Sequence, residues 1–163
     1  MIIREAAIGD LPEILYIYNE AIRTLTATFD LEEQSLEERI AWFNKYGGKY
    51  PLTVAVADGH IAGYCSIGPF RDKQAYEKTA ELSVYISSRF RGKGIGTGLV
   101  EDMLSRAASL GYHTIISGLT AGNAASVKLH ERLGFRYIGI FKEVGFKFGE
   151  WQDVLFYQYF FKK

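Results

Sequence analysis

The chain has 163 residues, 48% of them hydrophobic, with 19 basic side chains against 19 acidic ones. That length supports one core and is short for two, so a single domain spanning 1–163 is expected, and a formal net charge of zero argues against long-range attraction to nucleic acid or to an anionic membrane. Cys65 is the sole cysteine, which excludes an intrachain disulfide and suits a cytoplasmic protein with a small-molecule partner.

No stretch approaches the length of a membrane span, and the first five residues already carry charge. Ile2 to Arg4 read as a short strand. Asp10-Leu-Pro-Glu13 then offers an acidic N-cap, a proline in the first turn and a glutamate at the capping-box position. Leu11, Ile14, Leu15, Tyr18, Ala21 and Ile22 recur at helical spacing behind it. TLTATFD, residues 24–30, has no such period and reads as a connection. Ser35-Leu-Glu-Glu38 is a second capping box, opening a helix that the Gly47-Gly48 pair should stop.

LTVAVADGHIAGYCSIGPF reads as two strands around Asp58-Gly59, a strong hairpin signal, and AELSVYIS at 80–87 as a third. Past a glycine loop, Ile95, Leu99, Val100, Met103, Leu104 and Ala107 mark an amphipathic helix ending near Gly111. TIISGL is a buried strand, Asn123 to Leu133 a short helix closed by Gly134, and 135–146 and 152–160 are two strands around Gly149. Strands outnumber helices without regular alternation. The expected class is therefore α/β of the α+β type: a mixed, mostly antiparallel central sheet of six to seven strands flanked by about four helices.

The loop RFRGKGIGTG sets four alternate glycines among three cationic side chains between a strand and a helix. A P-loop would need a lysine followed by serine or threonine after its last glycine, and Gly94 is followed by Ile95. A dinucleotide fingerprint fails on the spacing of its last glycine and on the lack of a βαβ unit. What remains is Arg91-x-x-Gly94-x-Gly96 on a strand-to-helix turn. Its small residues let the backbone N–H groups of 92–97 approach an anion at a helix N-terminus, a pyrophosphate being a good candidate. Arg89, Arg91 and Lys93 stand by for charge-assisted bonds. Read alone, the same stretch equally suits a flexible turn with solvated bases.

Arg91-x-x-Gly94-x-Gly96 resembles the acetyl-CoA pyrophosphate loop of the GNAT superfamily of N-acetyltransferases, and NAASVKLHERLGF at 123–135 resembles that superfamily's last motif. IGPFRDKQAYEKTAELSVYIS and VGFKFGEWQDV, with TATF near the N-terminus, are similar to the branch containing phosphinothricin and methionine sulfoximine N-acetyltransferases. The resemblance implies the GNAT fold and acetyl-CoA as co-substrate, with no metal. Val84, Tyr85, Ile86, Arg91, Gly92, Lys93, Gly94, Ile95, Gly96, Thr97, Asn123 and Ser126 would then contact the cofactor.

Alternation in AELSVYIS puts Ala80, Leu82, Val84 and Ile86 on one face and Glu81, Ser83 and Tyr85 on the other. A glutamate at the place of Glu81 serves the family as general base, because an α-ammonium must lose a proton before it attacks a thioester. On residue pattern alone it reads as an outward-facing side chain. Asn123, Ser126 and His130 share one face of their helix, and Ala125, Leu129 and Leu133 another, so one stripe packs and one can meet a ligand. His130 stands where many members carry a tyrosine that protonates the departing thiolate; as a lone helix histidine it reads equally as structural.

Substrate contacts are expected from Phe29, Arg71, Lys73, Tyr76 and Val154, the cationic pair suiting an acceptor with an acidic end. The branch often has lysine then arginine where this chain has Arg71 and Lys73, which keeps the charge and moves the bidentate group. The implied activity is acetylation of the α-amine of a small glutamate-like amino acid by a homodimer. Two rivals stand beside it: an acetyltransferase acting on a protein N-terminus, a lysine or a polyamine, and a cofactor-binding module without catalysis.

Overall fold

The computed structural model describes residues 1–162; Lys163, the last residue of the expected domain, lies outside them. Seven strands form one sheet in the order β1-β2-β3-β4-β5-β7-β6. They are β1 (Ile2–Glu5), β2 (Leu52–Ala57), β3 (His60–Pro69), β4 (Thr79–Ile86), β5 (Thr114–Thr120), β6 (Arg136–Lys147) and β7 (Glu150–Phe160). The helices are α1 (Leu11–Thr24), α2 (Leu36–Phe43), α3 (Ile95–Ser109) and α4 (Ala124–Arg132). Short 3-10 turns cover Ile8–Asp10, Gln74–Tyr76 and Ser88–Phe90.

Every neighbouring pair in the sheet is antiparallel except β4–β5. That parallel pair is short. Thr79, Ala80 and Glu81 match Thr114, Ile115 and Ile116, whereas β4 continues to Ile86 and β5 to Thr120. Beyond Glu81 the two strands part, and β4 turns unpaired backbone groups towards the gap.

Two cores follow from the alternation of side chains. On one face Cys65, Ile67, Ala80, Leu82 and Ile115 pack under Leu99, Val100 and Met103 of α3. On the other, Val54 and Tyr64 pack under Leu11, Ile14 and Ile17 of α1. Leu99 and Met103 are wholly buried, so truncating either to alanine costs about 2–5 kcal/mol.

The start of α1 differs from the sequence expectation. Asp10 does not cap it; its carboxylate accepts from Ala7 N at 2.8 Å and from both terminal nitrogens of Arg4. Glu13, free of any capping box, accepts from Ile61 N of β3 at 2.9 Å. The intervening 3-10 turn ends at Asp10, so its side chain closes that turn instead. At α2 the expected capping box is present in both directions, Ser35 with Glu38.

Candidate active site

A cleft of about 780 Å³ opens where β4 and β5 diverge. Its floor is Val84, Tyr85 and Ile86, one wall the turn Arg91, Gly92, Gly94 to Thr97, and the opposite wall α4 through Asn123, Ala125, Ser126, Lys128, Leu129 and Arg132. Leu25, Thr26 and Ala27 close the end nearest α1. Gly94 is the N-cap of α3, with φ of 79°, a left-handed value that strains an L side chain. It has no side-chain cap, so the first amides of a fifteen-residue helix point into the cleft with the positive end of the dipole behind them. An anionic group of pyrophosphate size fits this cradle.

Arg91 lies 3.8 Å from Glu20 of α1, and Glu20 also accepts from Ser88 N and Oγ, so the turn is moored to α1. Lys93, expected beside Arg91, does not line the cleft; its ammonium lies 5.6 Å from the centre of the Phe90 ring. Lys128 and Arg132 take positive charge to the opposite wall and were missed by sequence reasoning, although they fall one turn apart on α4. The stripe of Ala125 and Leu129, which could have been the packing one, faces the cleft instead, and His130 is the buried one. Gly96 permits this arrangement, since a Cβ there would come within 2.9 Å of Leu129 Cδ1.

From the cleft a slit of about 60 Å³ passes between β4 and β5. Leu82, Val84, Ser117, Leu119 and His130 line it from the α3 face, and Ser83, Tyr85, Gly118 and Thr120 from the α1 face. His130 has no exposed surface, and its Nδ1 lies 2.7 Å from the Ser126 carbonyl, which can only accept. The proton therefore sits on Nδ1. In the neutral ring Nε2 accepts the Ser117 hydroxyl at 2.8 Å, and burial holds the imidazole below its usual pKa despite the bond to Ser126. Both nitrogens are engaged, so His130 releases no proton from Nε2 without first gaining one. Ser117 was not singled out from the sequence; its signal was a lone serine on the core face of β5, between Ile115 and Leu119.

Glu81 is the last residue of β4 paired with β5 and lies on the α1 face, the face from which Ser83 and Tyr85 of the same strand line the slit; Glu81 itself lines neither cavity. Gly68 stands opposite on β3 and leaves the space beside the carboxylate open. Glu81 remains solvent-accessible, yet the flanking strands remove enough water to raise its pKa, with Arg71 pulling it back down. Arg71 rests on the Phe70 ring, which meets Tyr76 edge-on at 5.7 Å. Lys73 and Tyr76 share this exposed loop, and none of the expected acceptor residues, Phe29, Arg71, Lys73, Tyr76 or Val154, lines either cavity. Val154 pairs with Thr120 of the slit, and Phe29 seats its ring on Gly145 of β6. Cys65 is buried in β3 with its thiol pKa pushed up by desolvation, a poor nucleophile. Among the described residues no group of three or more His, Cys, Asp or Glu could hold a metal ion, and no helix is long and apolar enough to cross a membrane.

The family model for the acetyltransferase (GNAT) domain matches residues 3–156. The L-methionine sulfoximine/L-methionine sulfone acetyltransferase of Pseudomonas aeruginosa is 42% identical over 158 residues, 96% of this chain and 92% of its own. A crystal structure of a ribosomal-protein-alanine N-acetyltransferase from Brucella melitensis superposes with a TM-score of 0.96 at 41% identity, covering 99% of this chain and 100% of that one. A phosphinothricin acetyltransferase from Sinorhizobium meliloti, solved in complex with AcCoA, gives 0.94 at 35% identity over 97% and 86%.

Proposed function

Since the chain belongs to the GNAT acetyltransferase family and is an N-acetyltransferase using acetyl-CoA, we propose that it acetylates the α-amine of methionine sulfoximine, phosphinothricin or a similar glutamate-like amino acid. The observation that carries this reading is the slit. It runs from a cleft with an anion-binding helix terminus between β4 and β5, and the α1 face of β4 that borders it also carries Glu81, with Arg71 close enough to act on its charge.

The residues divide the work by face. Amides at the start of α3, with Arg91, Lys128 and Arg132, hold the pyrophosphate, and Asn123 and Ser126 border the path of the pantetheine. Unpaired N–H groups of β4 near Val84 to Ile86 stabilise the thioester oxygen as negative charge grows on it. Glu81 accepts the ammonium proton, directly or through water, and its raised pKa brings it nearer to that of a useful base. Arg71 receives the acidic end of the acceptor, while Phe29 and Val154 border its apolar stem. Sulfur departs towards Ser117 and His130. Because His130 is neutral at rest with Nε2 accepting from Ser117, the pair orients the site, and the thiolate is balanced by the second proton that the attacking nitrogen sheds as the amide forms, passed to it directly or by way of His130 Nε2. Lys73 and Tyr76 belong to the outer part of the acceptor site.

Two attributes accompany this reading. The protein works in the cytoplasm, and it is a homodimer joined through the apolar surface of β6 and β7. The relative described as acting on a ribosomal-protein alanine supplies the second reading, a protein N-terminus as acceptor.

Thiol release separates them. With acetyl-CoA saturating, methionine sulfoximine and phosphinothricin should give kcat/KM at least about tenfold above an alanine-led peptide or spermidine, roughly 1.4 kcal/mol of discrimination. Release with the peptide alone would overturn the assigned acceptor.

A further inference from the structure

The segment VGFKFGEWQDV has so far been given one task, the placing of Val154. Its fourth residue is Lys147, the last residue of β6, which is only 3% exposed. A lysine almost never lies that deep unless its ammonium is hydrogen-bonded. Here Nζ donates to Leu25 O at 2.7 Å and to Thr28 O at 2.8 Å, across about 120 residues of chain. Both acceptors lie in the segment between α1 and α2. Thr120 Oγ1 of β5 donates to Thr26 O at 2.6 Å, and Tyr85 OH of β4 reaches Ala27 O at 3.4 Å. Four successive carbonyls, Leu25 to Thr28, are therefore each held by a side chain from β4, β5 or β6.

Three of those four residues form a wall of the site. Leu25, Thr26 and Ala27 line the cleft, Ala27 also lines the slit, and Phe29 follows directly, its ring filling the space above Gly145 where any Cβ would overlap it. Lys147 and Gly145 are two positions apart on β6, so they face the segment from the same side of the strand. One residue grips the backbone of the segment and the other receives its aromatic ring.

We propose that Lys147 is a positioning residue for the acceptor amine: by gripping the carbonyls of Leu25 and Thr28 it fixes where Ala27, which lines the slit, and Phe29, which follows on the same segment, stand. It touches neither substrate. Its effect passes through the 25–29 segment, and a displacement of about 1 Å there is enough to cost a large part of the rate. The inference rests on the functional reading above, in which the acceptor lies on the α1 face.

The test is Lys147→Met, which keeps an unbranched side chain one atom shorter and removes both bonds, assayed with methionine sulfoximine. The KM for the amino acid should rise at least tenfold and the calorimetric Kd for acetyl-CoA clearly less, because Lys147 bonds only the 25–28 backbone, which borders one end of the cleft, while the phosphate cradle is built on α3. A purely structural lysine would lower the melting temperature and leave the acceptor KM of the folded fraction alone; that result overturns the inference, as does an equal loss for both substrates. Should Lys147→Met fail to fold, Gly145→Ala displaces Phe29 without touching the lysine and should show the same split between the two substrates; an unaltered split in that variant sinks the idea. Wild-type protein run alongside keeps the two levels apart: if it releases no thiol with any amino acid, the functional reading fails, whatever Lys147 does.

Discussion

Glu81 shows how a residue's place in a strand decides its chemistry. In sequence it is an ordinary polar position in an alternating strand, and the structure adds three circumstances: the end of the parallel pairing, a glycine opposite, and Arg71 nearby. Desolvation raises its carboxyl and the guanidinium opposes the rise, so the two effects are separable by mutation. The base form exists above this pKa, and kcat/KM should fall as pH drops through it. Glu81→Gln should replace that limb by a steady rise towards the amine's own pKa and so lower turnover most at low pH, where almost none of the amine is already neutral, while leaving fold and acetyl-CoA affinity intact. Arg71→Gln removes the opposing charge, lets desolvation act alone, and should move the acidic limb to higher pH. A pH–rate profile of unaltered shape in Glu81→Gln, with chemistry rate-limiting, removes Glu81 from the role of base; a limb that moves down in Arg71→Gln contradicts the electrostatic account.

Elements were legible where their signals are local. The Ser35 capping box and the Asp58-Gly59 turn, both residues at positive φ, need only neighbouring residues to form, and both are present as the sequence suggests. The turn at Gly149 was less transparent because its other left-handed residue is Phe148, a type rarely found there. The glycine spacing at Arg91, Gly94 and Gly96 marked the cradle, since approach of backbone to an anion demands small residues in fixed order. Ser117 and Lys147 could not be read, because what gives each a task lies across the fold: His130 is on another element, and Thr28 is 119 residues from Lys147. At Asp10 a local reading misled for the same reason, with Arg4 competing for the carboxylate. The contact between α3 and α4 offers a test at this scale. Gly96→Val places methyl groups against Leu129 and Ile86, and overpacking of this kind costs about 1–3 kcal/mol. Both neighbours line the cleft, so the loss should appear as acetyl-CoA affinity weakened about tenfold in calorimetry, with a lowered melting temperature; unchanged affinity would mean that α4 adjusts freely and is no fixed wall.

At the scale of the whole molecule the β6–β7 hairpin is out of proportion to the rest. Among the described residues strand β6 is an edge, with no further strand on its outer side, and it is twelve residues long. Long open edges are ordinarily protected, because unpaired backbone groups invite another chain. Here the hairpin carries Tyr137, Ile138, Phe141, Phe146, Phe148 and Trp151, each between 53% and 61% exposed. Scattered apolar side chains on a surface need no explanation, but this cluster on one hairpin exceeds what a monomer ordinarily shows. With 19 charges of each sign, two copies meet no net repulsion at neutral pH. Pairing about a two-fold axis would bury each side chain twice, so a single charge introduced at the contact is also felt twice. Phe141 lies on the face of Val154, and Phe146, pairing with Trp151, lies on the opposite one, so the two positions probe both sides of the hairpin. Light scattering of the unaltered chain should give the mass of a dimer. Phe141→Glu or Phe146→Glu should shift it to that of a monomer, and the one that does so identifies the buried face. Gly145 and Lys147 lie on the same strand as the proposed contact, so a loss of acceptor affinity in the monomeric variant would further tie the assembly to the seat of the 25–29 segment. A monomer mass for the unaltered chain at working concentration would rule the dimer out, and a dimer that survives both substitutions would move the contact away from this hairpin.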